Sequence, residues 1–222
     1  MHFSAILFDC DGVLVDSKII YIDVEREHLS RLGLNYSLRD YQERFVGLTS
    51  TDFYKAIEDD YAALGKGPLP IGFADGLDRA TRERMDRDLV AVDGIKPLLE
   101  GYRGRKAVAS STRLSRLNEK LRQTGLHPYF DPHIYSGEQV RNGKPAPDLF
   151  LFAAVKLQAT ANECLVIEDS VNGVRAGCAA GMTVWGFTGG SHGDDALKDS
   201  LLEAGASEVF AGHDDLAKRL RS

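Results

Sequence analysis

Residues 5–8 of the chain, Ala5-Ile6-Leu7-Phe8, are uninterrupted apolar positions, and Asp9-Cys10-Asp11-Gly12 follow with two carboxylates and a glycine. A short apolar run closed by a polar break is the pattern of a strand buried on both faces of a parallel sheet. The pattern recurs three times. Ala107-Val108-Ala109 runs into Ser110-Ser111-Thr112, Cys164-Leu165-Val166-Ile167 into Glu168-Asp169-Ser170, and Met182-Thr183-Val184-Trp185 into Gly186. Each predicts a strand, three of them with polar side chains at the carboxyl end.

Between these strands the period changes. Leu114, Leu117 and Leu121 fall at i, i+3 and i+7 with Gly125 as a stop, and residues 147–157 carry an apolar face through Leu149, Phe150, Ala153, Ala154 and Leu157. Both segments are predicted helices. Alternating strands and helices predict an α/β fold, a doubly wound parallel (Rossmann-like) sheet. Such sheets bind ligands beyond the carboxyl ends of their strands, where the polar clusters fall. Residues 17–91 break the alternation: they are rich in Arg, Glu, Asp, Tyr and Leu, with Leu29, Leu32 and Leu34, then Tyr54 and Ile57, reading as amphipathic helices and residues 65–70 as a loop. They predict a helical insert after strand 1, with residues 1–16 and 92–222 forming the sheet domain.

Composition narrows the partners. The 27 basic and 33 acidic residues give a net charge of −6, and the basic residues form no dense cluster, which argues against a nucleic-acid or anionic-membrane surface. No window is apolar enough for a membrane span, and the first residues lack a basic leader, so the expected location is cytoplasmic. Cys10, Cys164 and Cys178 have neither CxxC nor zinc-ligand spacing, which fits a reducing compartment and buried thiols. A chain of 222 residues is long enough to be stable as a monomer.

The Asp9-x-Asp11-Gly12 spacing, taken alone, has several uses. A calcium loop needs oxygen ligands at alternating positions and a glycine at the sixth; here glycine falls at the fourth, and Val13-Leu14-Val15 supply no side-chain oxygen. A polar strand end without chemistry is the other plain reading. The stretch from Phe8 through Ser17, however, resembles the first motif of the haloacid dehalogenase superfamily, and three further motifs follow in order. Ser110 matches the second, Lys144 in Gly143-Lys144-Pro145 the third, and Glu168-Asp169-Ser170 with Gly173 the fourth. An insert between the first two motifs resembles the C1-cap members.

The resemblance implies a phosphatase with Asp9 as nucleophile and Asp11 as general acid/base. It implies Mg²⁺ held by the carboxylates of Asp9 and Asp169, the Asp11 carbonyl, and Glu168 either directly or from the outer sphere. Lys144 and Ser110, with Ser111, would bind the phosphoryl oxygens. Ser110 alone reads equally as the N-cap of the Leu114 helix, a role for which Ser111 or Thr112 competes. Asp11 separates phosphate-ester chemistry from that of dehalogenases and phosphonate hydrolases of this fold, which generally lack this second aspartate.

Substrate selection is expected in the cap. Residues 45–50 resemble the specificity loop of C1 caps, with Gly47 allowing close approach and Thr49 and Ser50 either binding a polyol or capping a helix over 51–64. The β-phosphoglucomutases resembled by this framework usually carry a histidine and an arginine where this chain has Tyr21 and Ser50, which disfavours mutase activity. Tyr21 either contacts substrate or packs within its helix. The expected substrate is a small phosphorylated metabolite: a sugar or sugar-acid phosphate such as phosphogluconate, or phosphoglycolate. The alternatives are a sugar-phosphate mutase and a non-catalytic phosphate-binding module.

Overall fold

The protein is described by a computed structural model covering residues 3–45, 48, 50–191, 193 and 195–222, with the Ser50 side chain outside that set. The chain forms two compact units, Met1–Lys18 with Leu89–Ser222, and Ile19–Asp88. Strand β1 (Ala5–Phe8) is followed by helices α1 (Lys18–Arg31), α2 (Leu38–Phe45), α3 (Ser50–Ala63) and α4 (Phe73–Asp88). Then come α5 (Ile95–Gly101), β2 (Arg105–Ser110), α6 (Leu114–Gln123), β3 (Ile134–Ser136) and α7 (Asp148–Lys156). The chain closes with β4 (Cys164–Glu168), α8 (Val171–Ala179), β5 (Thr183–Phe187), α9 (Asp195–Glu203), β6 (Glu208–Phe210) and α10 (His213–Arg221).

All the strand pairings are parallel, in the order β3-β2-β1-β4-β5-β6. Every residue of β1 and β4 is buried, as expected of strands covered on both faces. Alternation sends Ala5 and Leu7 of β1, Ala107 and Ala109 of β2 and Val166 of β4 into one cluster with Leu149, Phe150 and Ala153 of α7, Val174 of α8 and Leu201 of α9. Phe8 faces the other way and meets Phe130 edge-on at 5.8 Å between ring centroids. The four expected strands and both expected sheet-domain helices are present; β3 and β6 are additions.

The helical unit has its own core of Ile22, Leu29, Leu34, Tyr41, Phe45, Ala56 and Ile57. Leu32 and Leu34 do not continue the Leu29 helix, as their spacing predicted. Gly33 takes a φ of +90°, which ends α1, and Leu34 N returns to the Leu29 carbonyl at 3.0 Å. Cys10 and Cys164 are buried, but Cys178 is exposed, against expectation. Among the described residues, no helix is long and apolar enough to cross a membrane.

Candidate active site

Strand β1 lies between β2 and β4, with Phe8 opposite Val108 on one side and Ile167 on the other. The strand order reverses at β1, so the residues just beyond β1, β2 and β4 share one crevice. Asp9 continues the ladder by donating its N–H to the Ile167 carbonyl at 3.0 Å. The chain then turns sharply. Gly12 has a φ of +87° and donates to the Val15 carbonyl at 2.8 Å, a path that a Cβ at this position would strain.

The Lys144 side chain, 5% exposed, enters this crevice. Its ammonium donates to Asp9 Oδ1 at 2.6 Å, Glu168 Oε1 at 2.6 Å and the Ala109 carbonyl at 2.9 Å. Burial alone would lower its pKa, but Asp9 and Glu168 outweigh that and hold it above the ordinary lysine value. Glu168 Oε2 accepts from Ser170 N at 3.1 Å and from Ser170 Oγ at 2.9 Å, so both its oxygens are engaged. A Cβ on Gly173 would lie 1.9 Å from the Glu168 carboxyl group, which explains the small residue in the first turn of α8. Burial pushes Asp9 up to about 7, against the pull of Lys144 and with the added repulsion of Glu168, Asp169 and Asp11.

Asp11 is clamped by three donors. Lys120 Nζ reaches its Oδ1 at 2.5 Å, the Ser17 hydroxyl donates to the same oxygen, and Thr112 Oγ1 donates to Oδ2 at 2.7 Å. Burial raises the Asp11 carboxyl, yet Lys120 and these hydrogen bonds win and hold it below the usual carboxylate value. Thr112 therefore does not cap α6. Arg113 holds the N-cap position without a side-chain bond, and Glu138 Oε2 accepts the Leu114 N–H at 2.9 Å.

Asp9, Glu168 and Asp169 each offer an oxygen, all within 4.8 Å of one another. An all-carboxylate donor set suits a hard divalent cation such as Mg²⁺ better than a soft one. Asp169 Oδ2, buried, meets the Lys18 ammonium at 2.6 Å. Among the described residues, four carboxylates thus face three ammoniums, those of Lys18, Lys120 and Lys144. The imbalance, together with the raised Asp9, marks a place short of positive charge, and a cation would fit it.

Of the side chains expected in a site, Asp9, Lys144 and Glu168 are joined directly, with Asp169 in the same carboxylate group. Asp11 stands two residues from Asp9 and is tied to the end of β2 through Thr112. Ser110 is buried, its Oγ accepting the Thr112 N–H at 3.1 Å, whereas Ser111 is exposed. Tyr21 lies on α1 in the helical unit and is 41% exposed. Gly47, Thr49 and the Ser50 side chain lie outside the described residues. Lys18 and Lys120 were not among the residues expected in the site, and Thr112 was expected only as a competing helix cap.

A family model described as haloacid dehalogenase-like hydrolase matches residues 3–181. The chain is 29% identical to the 6-phosphogluconate phosphatase of Escherichia coli (strain K12), over 86% of this chain and 85% of that one. It is likewise 29% identical to the phosphorylated carbohydrates phosphatase of Thermotoga maritima, over 91% and 92%. Among solved structures, a hydrolase of the same family from Deinococcus radiodurans R1, with bound phosphate and sodium, superposes with a TM-score of 0.84 at 35% identity, covering 96% of this chain and 93% of that one.

Proposed function

The chain belongs to the haloacid dehalogenase-like hydrolases, and from that premise we propose that it is a Mg²⁺-dependent phosphatase of a small phosphorylated sugar or sugar acid, working through an aspartyl-phosphate. The observation that carries the proposal is the meeting of Asp9, Lys144, Glu168 and Asp169 at the ends of neighbouring strands, with Asp11 held beside them. The phosphatases of phosphorylated carbohydrates among its relatives support the substrate class.

In this reading Asp9 attacks phosphorus, forming a P–O bond to its carboxylate while the P–O bond to the sugar breaks. Asp11 gives a proton to the departing sugar oxygen. Asp11 then takes a proton from the water that attacks phosphorus, the Asp9–phosphorus bond breaks, and inorganic phosphate leaves. The ionised Asp11 of the substrate-free protein is the form the second step needs, and the negative charge of an arriving phosphate raises its pKa toward the form the first step needs. Lys144 and Ser110 stabilise charge on the phosphoryl oxygens. Asp9, Asp169 and the Asp11 carbonyl, with Glu168 either directly or from the outer sphere, would hold Mg²⁺, which would supply the charge neutralisation that lets a carboxylate approach a phosphate.

The test is phosphate release from a panel of sugar phosphates, sugar-acid phosphates, phosphoglycolate and nucleotides, with and without Mg²⁺. Mg²⁺-dependent release from a sugar or sugar-acid phosphate is expected. Release from no compound, with cation binding intact, would overturn the reading.

A further inference from the structure

Lys120 is 3% exposed, and its ammonium lies 2.5 Å from Asp11 Oδ1. It projects from α6 at a position that helical geometry assigns to the core: Leu117, Lys120, Leu121 and Thr124 fall at i, i+3, i+4 and i+7, and all four are buried. The neighbouring polar residues of α6, Glu119 and Arg122, are exposed, and Arg116 pairs with Glu119 at 2.9 Å. A leucine at position 120 would complete the stripe. A buried ion pair contributes little net stability relative to packed apolar side chains of similar volume. Helix packing therefore does not explain the lysine, whereas its contact with Asp11 does.

We propose that Lys120 is a positioning residue for the acid/base carboxylate: it fixes the orientation of Asp11 from the core side while Ser17 and Thr112 fix it from the chain segments that follow β1 and β2. This rests on the phosphatase reading above and on the role of Asp11 in it. The Asp11 Oδ1 takes two donors, Lys120 and Ser17, and Oδ2 takes Thr112, so the carboxylate plane is set from both of its edges. Without Lys120 the carboxylate keeps one hydroxyl donor at each oxygen but loses the charged one, so its rotation about the Cβ–Cγ bond is held less tightly. A proton donor misaligned in this way loses most of its effect, since proton transfer requires hydrogen-bond reach and alignment.

Leaving-group chemistry reads this role. A sugar phosphate departs as an alkoxide and needs the proton from Asp11, while p-nitrophenyl phosphate departs as a stabilised phenolate and needs it much less. Lys120→Met is expected to lower kcat for the sugar phosphate by about 10²-fold, the lower end of what an acid/base group contributes. The loss for p-nitrophenyl phosphate is expected to be at least tenfold smaller. In an Asp11→Asn background, Lys120→Met is expected to add no further loss. Lys120→Gln, which keeps the side chain's length and an N–H donor, is expected to lose less than Lys120→Met, and it is judged by the same criteria if the methionine variant does not fold. Equal losses on the two esters, no loss on either, or a loss undiminished in the Asp11→Asn background would each overturn the proposal. A wild-type protein inert toward both esters would overturn the phosphatase reading and this inference with it.

Discussion

The Lys144 ammonium stands 2.6 Å from Asp9 Oδ1, and the same ammonium reaches Glu168 Oε1 at 2.6 Å, so one buried cation holds the ends of β1 and β4 together. Removing one partner of a buried ion pair leaves the others uncompensated, which typically costs about 3–5 kcal/mol. Lys144→Met should therefore destabilise the metal-free protein by about that much in denaturant titrations. It should also lower turnover by about 10²–10³-fold through the lost phosphoryl-oxygen contact. A variant as stable and as active as the parent would remove Lys144 from both roles.

Gly173 answers to Glu168. An added Cβ would sit 1.9 Å from a carboxyl group that is pinned by Lys144 and Ser170. Gly173→Ala should displace Glu168, costing about 1–3 kcal/mol as overpacked sites do, and should weaken Mg²⁺ binding. Thermal melting with and without Mg²⁺ measures both. An unchanged melting temperature and an unchanged shift on adding Mg²⁺ would contradict this.

Lys18 occupies Asp169 Oδ2 at 2.6 Å. Its pKa feels burial downward and Asp169 upward, and Asp169 prevails. A resident ammonium competes with a divalent cation for the same oxygen, so Lys18→Met should bind Mn²⁺ more tightly, by about fivefold, equivalent to a modest ion pair. Electron paramagnetic resonance of free Mn²⁺ reads the affinity directly, without turnover. Weaker binding in the variant would show that Lys18 does not compete.

The four strands and the polar residues at the ends of three of them were legible because a strand covered on both faces reads as an unbroken apolar run, and Asp9, Ser110, Glu168 and Asp169 follow such runs immediately. The strands β3 and β6 were not legible. Each has three residues, and those of β6 are only partly buried, so neither leaves an apolar run long enough to see. Lys120 was missed for a different reason: among Arg116, Glu119, Lys120 and Arg122 it looks like one more solvent-facing charge. Its signal was position, since it lies in the stripe of Leu117 and Leu121. Thr112 entered only as one competitor, with Ser110 and Ser111, for the cap of the Leu114 helix, because local bonds are all that a sequence displays, whereas its hydroxyl serves Asp11, 101 positions away.

His213 carries the clearest pH dependence outside the crevice. It is buried, donates from Nε2 to the Val13 carbonyl at 2.8 Å and stacks on Phe187 at 4.3 Å. Burial lowers its pKa from 6.5 to about 4, with the Val13 bond and Asp214 opposing. The folded state therefore binds fewer protons than the unfolded state between these values. Its stabilising effect is complete above about pH 6.5 and is lost as pH falls toward 4, by about 3 kcal/mol in all. His213→Gln keeps an N–H donor but does not titrate, so its stability should fall less steeply over this window. Parallel stability profiles for the two proteins would contradict the assignment.

In the proposed chemistry Asp9 is the group that attacks phosphorus. Substituting Asp9→Asn keeps the side chain's shape and removes the nucleophilic charge, so phosphate release from the best sugar phosphate, followed with saturating Mg²⁺, reads that role. Release by the parent protein and none measurable by the variant is expected, with the circular dichroism spectrum and melting behaviour of a folded protein retained. A folded Asp9→Asn protein that releases phosphate at a rate comparable to the parent would contradict it.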